Sequence, residues 1–220
     1  MRAVRWEMVV LVVLGAIGAV GCVDRVEYGW QLEEPEADVG APEPDVGQAE
    51  GPCVVEVPER ASTDTFLFSW TADDFGEVWI DGERVGASAD WREVAEVVRP
   101  LGPGKHVIAA RVEDRMRVSS GFVARGAFVT NPSLGCLDTG DGGAWRVTTR
   151  RPSGDWRGVG YDDAEWVEPT VADDCRDNWA GTVDLEPAQW VWGGSCDAGS
   201  EQWREENWYR LVFELRRTEM

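Results

Sequence analysis

From Cys53 to the C-terminus, the apolar residues of this chain fall in short runs broken by Gly, Pro and Asp, and apolar and polar positions alternate inside many of them. Alternation over such short windows predicts half-buried β-strands. The clearest segments are Val54–Val57, Thr65–Trp70, Glu77–Ile80, His106–Val112, Gly121–Ala124, Ala144–Thr148, Gln189–Trp192 and Trp208–Leu215. In the last of these, Tyr209, Leu211 and Phe213 alternate with Trp208, Arg210 and Val212, so one set must face a core. Asp81-Gly82, centred in Ile80–Val85, is the short-range signature of a tight hairpin. Only Trp91–Val98 reads as a helical turn, and no βαβ rhythm is present. About eight strands with frequent turn signals predict an all-β sandwich over residues 53–220.

The N-terminal pattern is different. Arg2 and Arg5 precede an apolar run from Val9 to Val20, and Ala19-Val20-Gly21 lead into Cys22. The run is shorter than the roughly 20 apolar residues of a membrane-spanning helix and ends in small residues. Residues 1–21 therefore read as a lipoprotein signal peptide with a lipobox, and Cys22 as the lipidated N-terminus of the mature chain. An uncleaved N-terminal anchor is the alternative. Val23 in place of Asp at the next position permits sorting to the outer membrane, so the expected location is the cell envelope, held there by lipid. Residues 22–52 are acidic and rich in Pro and Gly, with too little apolar surface to offset the entropy of ordering, and read as a disordered tether.

Charge and cysteine usage agree with export. There are 41 acidic against 21 basic residues, a formal net charge of −20, which repels nucleic acid and argues against it as a partner. Besides Cys22, the chain has Cys53, Cys136, Cys175 and Cys196, an even set for which two disulfides are the default in an oxidising compartment. Among the three connectivities, Cys53–Cys136 with Cys175–Cys196 is favoured, the second bridge pinning the irregular segment from Asp174 to Gly199. A zinc site fits poorly, because no two cysteines are two to four residues apart and His106 is the only histidine.

Several motifs recur in the order of a known family. Thr71-Ala72-Asp73-Asp74-Phe75-Gly76-Glu77-Val78-Trp79-Ile80-Asp81-Gly82, then Gly104–Val112, the glycine-led Gly121–Ala124, and Trp145-Arg146-Val147 with Tyr161-Asp162-Asp163-Ala164-Glu165-Trp166 are the segments concerned. Together they resemble the galactose-binding-like jelly rolls that accompany glycoside hydrolases, including the rhamnosidase type. The likeness runs from Thr65 to Pro169 and implies a jelly-roll sandwich with carbohydrate as the ligand class. His106 stands where that pattern has Asn. The strand type that normally precedes the first motif instead closes this chain, at Ala188–Trp192 and Trp208–Leu215, which implies a circular permutation or an incomplete second repeat. Related sandwiches sometimes hold a structural calcium, which makes Asp73, Asp74, Asp162 and Asp163 its weak candidates. The residues themselves read first as turn formers. No other cofactor is implied.

For function, no Gly-x-Ser-x-Gly elbow accompanies the single histidine, and Gly140-Asp141-Gly142-Gly143 reads as a turn, not a phosphate loop. Of the 13 tryptophans, those of the domain are mostly expected in the core. Trp179 and Trp203, in the irregular segment, are expected outside, where they would stack on sugar rings while Arg176, Asp177 and Asn178 satisfy hydroxyls. The leading expectation is a membrane-anchored, non-catalytic module recognising glycan. The alternatives are a structural or protein-interaction domain of an envelope complex, marked by a flat apolar patch, and a small hydrolase, marked by a deep acidic cleft with a carboxylate of raised pKa.

Overall fold

A computed structural model describes residues 53–58 and 63–218, apart from Ser133, Asp141, Ala180 and Thr182. Residues 1–52, with the expected signal sequence, Cys22 and the acidic segment, lie outside the described residues. The strands are β1 (Cys53–Pro58), β2 (Asp64–Asp73), β3 (Phe75–Ile80), β4 (Glu83–Ser88), β5 (Ala95–Leu101), β6 (Gly104–Glu113), β7 (Gly121–Phe128), β8 (Arg146–Thr148), β9 (Thr170–Val171), β10 (Val191–Trp192) and β11 (Glu206–Thr218). They form an all-β sandwich. One sheet runs β1-β11-β6-β3-β4 with β8 also pairing β11, and the other runs β5-β2-β7-β10-β9. Among the described residues the longest α-helix is α1, the single turn Arg176–Trp179, and no helix is long and apolar enough to cross a membrane.

Local sequence explains most of these elements. Asp81 and Gly82 take positive φ values of 53° and 80°, which is the two-residue turn whose twist matches the strands it joins, and Ile80 pairs with Glu83 across it. β11 is internal: β6 pairs with it from Glu206 to Leu215, while its other edge is shared by β8 at Trp208–Arg210 and β1 at Phe213–Thr218. The β1 pairing is parallel and the other two antiparallel. The expected helical turn at Trp91–Val98 is replaced by a turn at Trp91–Glu93 and the strand β5. Val97 and Val98 favour the pleated conformation, and Pro100 is tolerated because β5 is the edge of its sheet.

The alternation in β11 resolves as the pattern requires. Tyr209, Leu211, Phe213 and Leu215 face the core with Phe66, Phe68, Trp70 and Phe122 of the opposite sheet. Ring centroids of Phe66 and Phe213 lie 5.7 Å apart, and those of Phe122 and Tyr209 4.9 Å apart. These rings bury most of the apolar area that drives the two sheets together. Both favoured disulfides are present: Cys53–Cys136 ties β1 to the turn Gly135–Leu137, and Cys175–Cys196 ties the start of α1 to the loop after β10.

Candidate functional site

The outer face of the first sheet is covered, and its cover builds the site. Trp79, Ala109, Trp208 and Arg210 point away from the core cluster yet are buried. Arg210 is wholly buried, a state that a guanidinium tolerates only when its donors are satisfied. It donates from Nε to the carbonyl of Trp156 at 2.8 Å, from Nη2 to Gly158 at 2.9 Å, and from Nη1 to Tyr161 at 3.5 Å, and it pairs with the Asp163 carboxylate. One side chain therefore folds the loop 149–166 over the sheet.

The same loop is closed at its ends and stacked with aromatic rings. Val147 and Val167 exchange two backbone hydrogen bonds of 2.7 and 3.0 Å. Trp156 meets Trp79 edge-on at 5.5 Å, and Tyr161 meets Trp166 edge-on at 6.0 Å. The Arg157 guanidinium lies 5.3 Å above the Trp79 ring, a cation–π contact.

Between this loop and the turn at Gly193–Arg204 runs a groove of about 740 Å³. Tyr161 and Trp166 line one stretch of it, with Asp162 and Glu165 beside them. Arg150, Arg151, Gln202 and Arg204 supply hydrogen-bond donors from the remaining walls. Beneath Gly193, a lining residue, the fully buried side chain of Asn207 has no hydrogen-bond partner among the described residues. The lining combines the half-buried Tyr161 and the buried Trp166 with side chains able to donate and accept, features that a ligand site would use.

The residues expected to bind ligand are placed differently. Trp179 is 2% exposed, and the expectation that it stands outside is overturned. Its ring stacks on Trp190 at 4.5 Å, and both rings lie over Gly121, where a Cβ would come within 2.6 Å of Trp190 and 2.9 Å of Trp179. Its indole N–H finds the buried acceptor it needs, the Asp73 carboxylate at 2.9 Å. Trp203 is half-buried, its N–H donating to Asp114 and to Ser120 Oγ at 2.9 Å each. Asn178 is exposed and donates to Ser119 Oγ, beside a second concavity of about 440 Å³. Arg176 and Asp177 start α1, and their side chains are outside the described ones. Of the described side chains among these five, Trp179 is buried, Trp203 is half-buried and held by Asp114 and Ser120, and Asn178 alone lines the second concavity.

The four carboxylates considered for calcium are also engaged elsewhere. Asp73 holds Trp179, Asp74 accepts the backbone N–H of Met116, Asp162 accepts that of Ala164, and Asp163 holds Arg210. Among the described residues no group of three His, Cys, Asp or Glu side chains has the geometry to hold a metal ion. Burial, reinforced by Asp74 and Asp114 and opposed by the Trp179 bond, pushes the Asp73 carboxyl up to about 7. This carboxyl is covered by an indole and does not open into a cleft, so it is not the exposed acid a hydrolase would need.

His106 serves the frame. Its Nδ1 meets Asp81 at 2.8 Å, and its Nε2 donates to the Gly102 carbonyl at 2.7 Å, tying the hairpin turn to the start of β6. The Asp81 bond raises the imidazole above its ordinary value, against the effect of burial.

Sequence reasoning missed the groove. Its signals were the adjacent Arg150-Arg151 in an acidic chain and Arg210, which with Glu214 is one of two polar residues in the otherwise apolar Trp208–Leu215. Comparisons with known protein families, with curated proteins and with solved structures find no match for this chain.

Proposed function

We propose that this chain is a lipid-anchored, non-catalytic module of the cell envelope that binds glycan in the groove between the 149–166 loop and the Gly193–Arg204 turn. The observation that carries the reading is the groove's lining. The half-buried Tyr161 and the 8%-exposed Trp166 stand beside Asp162, Glu165, Gln202 and three arginines, a mixture of aromatic surface and hydroxyl-satisfying groups of the kind sugars require. The resemblance to galactose-binding-like modules supports the same ligand class, and the lipobox before Cys22 supports the anchor. A protein-interaction reading has one observation in its favour. Leu67 and Val98 pair across β2 and β5 with 38% and 64% of their surface exposed, an apolar spot on the outer face of the second sheet.

The test is retention of the detergent-solubilised full chain on a panel of insoluble and immobilised polysaccharides. Glu165 and Gln202 are exposed, so Glu165→Ala and Gln202→Ala are expected to weaken retention while leaving thermal unfolding unchanged. A parent chain retained by no polysaccharide overturns the glycan reading. A Cys22→Ser chain that still partitions with membranes overturns the lipid anchor.

A further inference from the structure

We propose that the groove selects an acidic glycan, one whose sugars carry carboxylates, with Arg150, Arg151 and Arg204 pairing those carboxylates while the sugar rings lie against Tyr161. The inference rests on the glycan reading above and names its ligand chemistry. The chain carries 41 acidic side chains against 21 basic ones, so a guanidinium here has carboxylates to spare. Nine described arginines do take one: Arg84, Arg92, Arg99, Arg111, Arg115, Arg117, Arg146, Arg210 and Arg216. The three that line the groove take none among the described residues, as Arg125, Arg157 and Arg217 elsewhere also take none, and they do so although Asp162 and Glu165 line the same groove.

Their setting holds them ready. Arg204 is fixed from Nη1 by the carbonyls of Glu201 at 2.9 Å and Trp203 at 2.6 Å, which leaves its other donors for a ligand. Arg150 is placed by its backbone N–H donating to Thr148 Oγ1 at 3.2 Å, directly after β8, and Pro152 stiffens the turn beyond Arg151. A planar guanidinium matches a carboxylate with two parallel hydrogen bonds, which a neutral sugar cannot offer. Two carboxylates among three arginines leave the lining slightly positive within a chain of net charge −20. That balance suits carboxylates held one sugar apart and disfavours the closer-set charges of a polyphosphate, some of which would meet Asp162 and Glu165.

The experiment compares binding of the detergent-solubilised full chain to polygalacturonate, to the same polymer with its carboxylates methyl-esterified, to a neutral glucan and to inorganic polyphosphate. Esterification removes the charge and keeps the rings, and it is expected to lower affinity by about tenfold or more, as is raising salt to about molar concentration. Arg150→Gln and Arg151→Gln together are expected to abolish the preference for the acid polymer while a residual affinity for the ester survives. Equal binding of acid and ester polymers, or binding of the neutral glucan alone, overturns the acidic-glycan assignment and leaves the glycan reading standing. Equal or tighter binding of polyphosphate overturns the carboxylate assignment. Binding to none of the saccharides overturns both readings.

Discussion

Arg210 and Asp163 form an ion pair on the outer face of β11, and the pair joins an internal strand of one sheet to the loop that walls the groove. Arg210 is wholly buried while the Asp163 side chain keeps 28% of its exposure, so removing the acid strands a cation that water cannot easily reach. Asp163→Ala is expected to destabilise the fold by about 3 kcal/mol, whereas Arg210→Met, which removes the charge with its donors, is expected to cost less. Urea unfolding of both variants checks the order. A larger loss for Arg210→Met would show that the three carbonyl bonds, not the ion pair, dominate.

Deleting residues 207–220 should unfold the sandwich outright. The deletion removes most of a strand paired on both edges, together with Tyr209, Leu211, Phe213 and Leu215 from the core. Leu- and Phe-sized losses cost about 2–5 kcal/mol each, and stability of a domain totals about 5–15 kcal/mol. Calorimetry should find no cooperative transition in the truncated chain; a retained transition would make β11 peripheral.

Trp179→Ala is expected to destabilise by about 3–5 kcal/mol and to leave polysaccharide retention unaffected under conditions where the variant is folded. The ring packs on Trp190 and Gly121, and its loss also strips the Asp73 carboxylate of its donor. Melting measured alongside retention separates this residue from Glu165 and Gln202, for which the opposite pattern is expected.

Asp73 should give the stability of this protein a pH slope. Its carboxyl is raised in the folded state, so the stabilisation is fully present below the unfolded value of about 4 and is lost as pH rises through about 7. The parent melting temperature is expected to fall between pH 5 and pH 8 by more than that of Asp73→Asn, which keeps an acceptor for Trp179 and cannot ionise. His106 contributes a second term of the same sign, since its raised imidazole also loses stabilisation as pH climbs past its folded value. Asp81 acts oppositely at acid pH. Burial pushes it up, but the bonds from His106 and the Val107 N–H hold it below its ordinary value, so its share is lost as pH falls through that value. Parallel slopes for the parent and Asp73→Asn would remove Asp73 from the account.

Reduction of the Cys175–Cys196 bridge, which closes 21 residues, is expected to cost about 3 kcal/mol in the chain-entropy picture, and more for Cys53–Cys136 across 83. Non-reducing peptide mapping should recover these two pairs; free thiols or another pairing would contradict the structure.

Local chemistry was legible in the amino-acid order alone. Alternation in Trp208–Leu215 identified a core strand and its two faces, and Asp81-Gly82 marked the hairpin, because side-chain period and turn backbone are set by neighbours in sequence. The four cysteines announced two bridges, and the structure selects among the three pairings by bringing β1 to the Gly135–Leu137 turn and α1 to the loop after β10. The candidate site was not legible. Trp179 sits in an irregular segment and looked free to meet solvent, yet its partner Asp73 lies 106 residues away and Gly121 supplies the space for its ring. Arg210 reads in sequence as the polar side of a strand, but the carbonyls that bury it belong to a loop about 50 residues earlier. Which loop covers which sheet face depends on hydrogen-bond partners distant in the chain, and a buried charge or indole is stable only once those partners arrive.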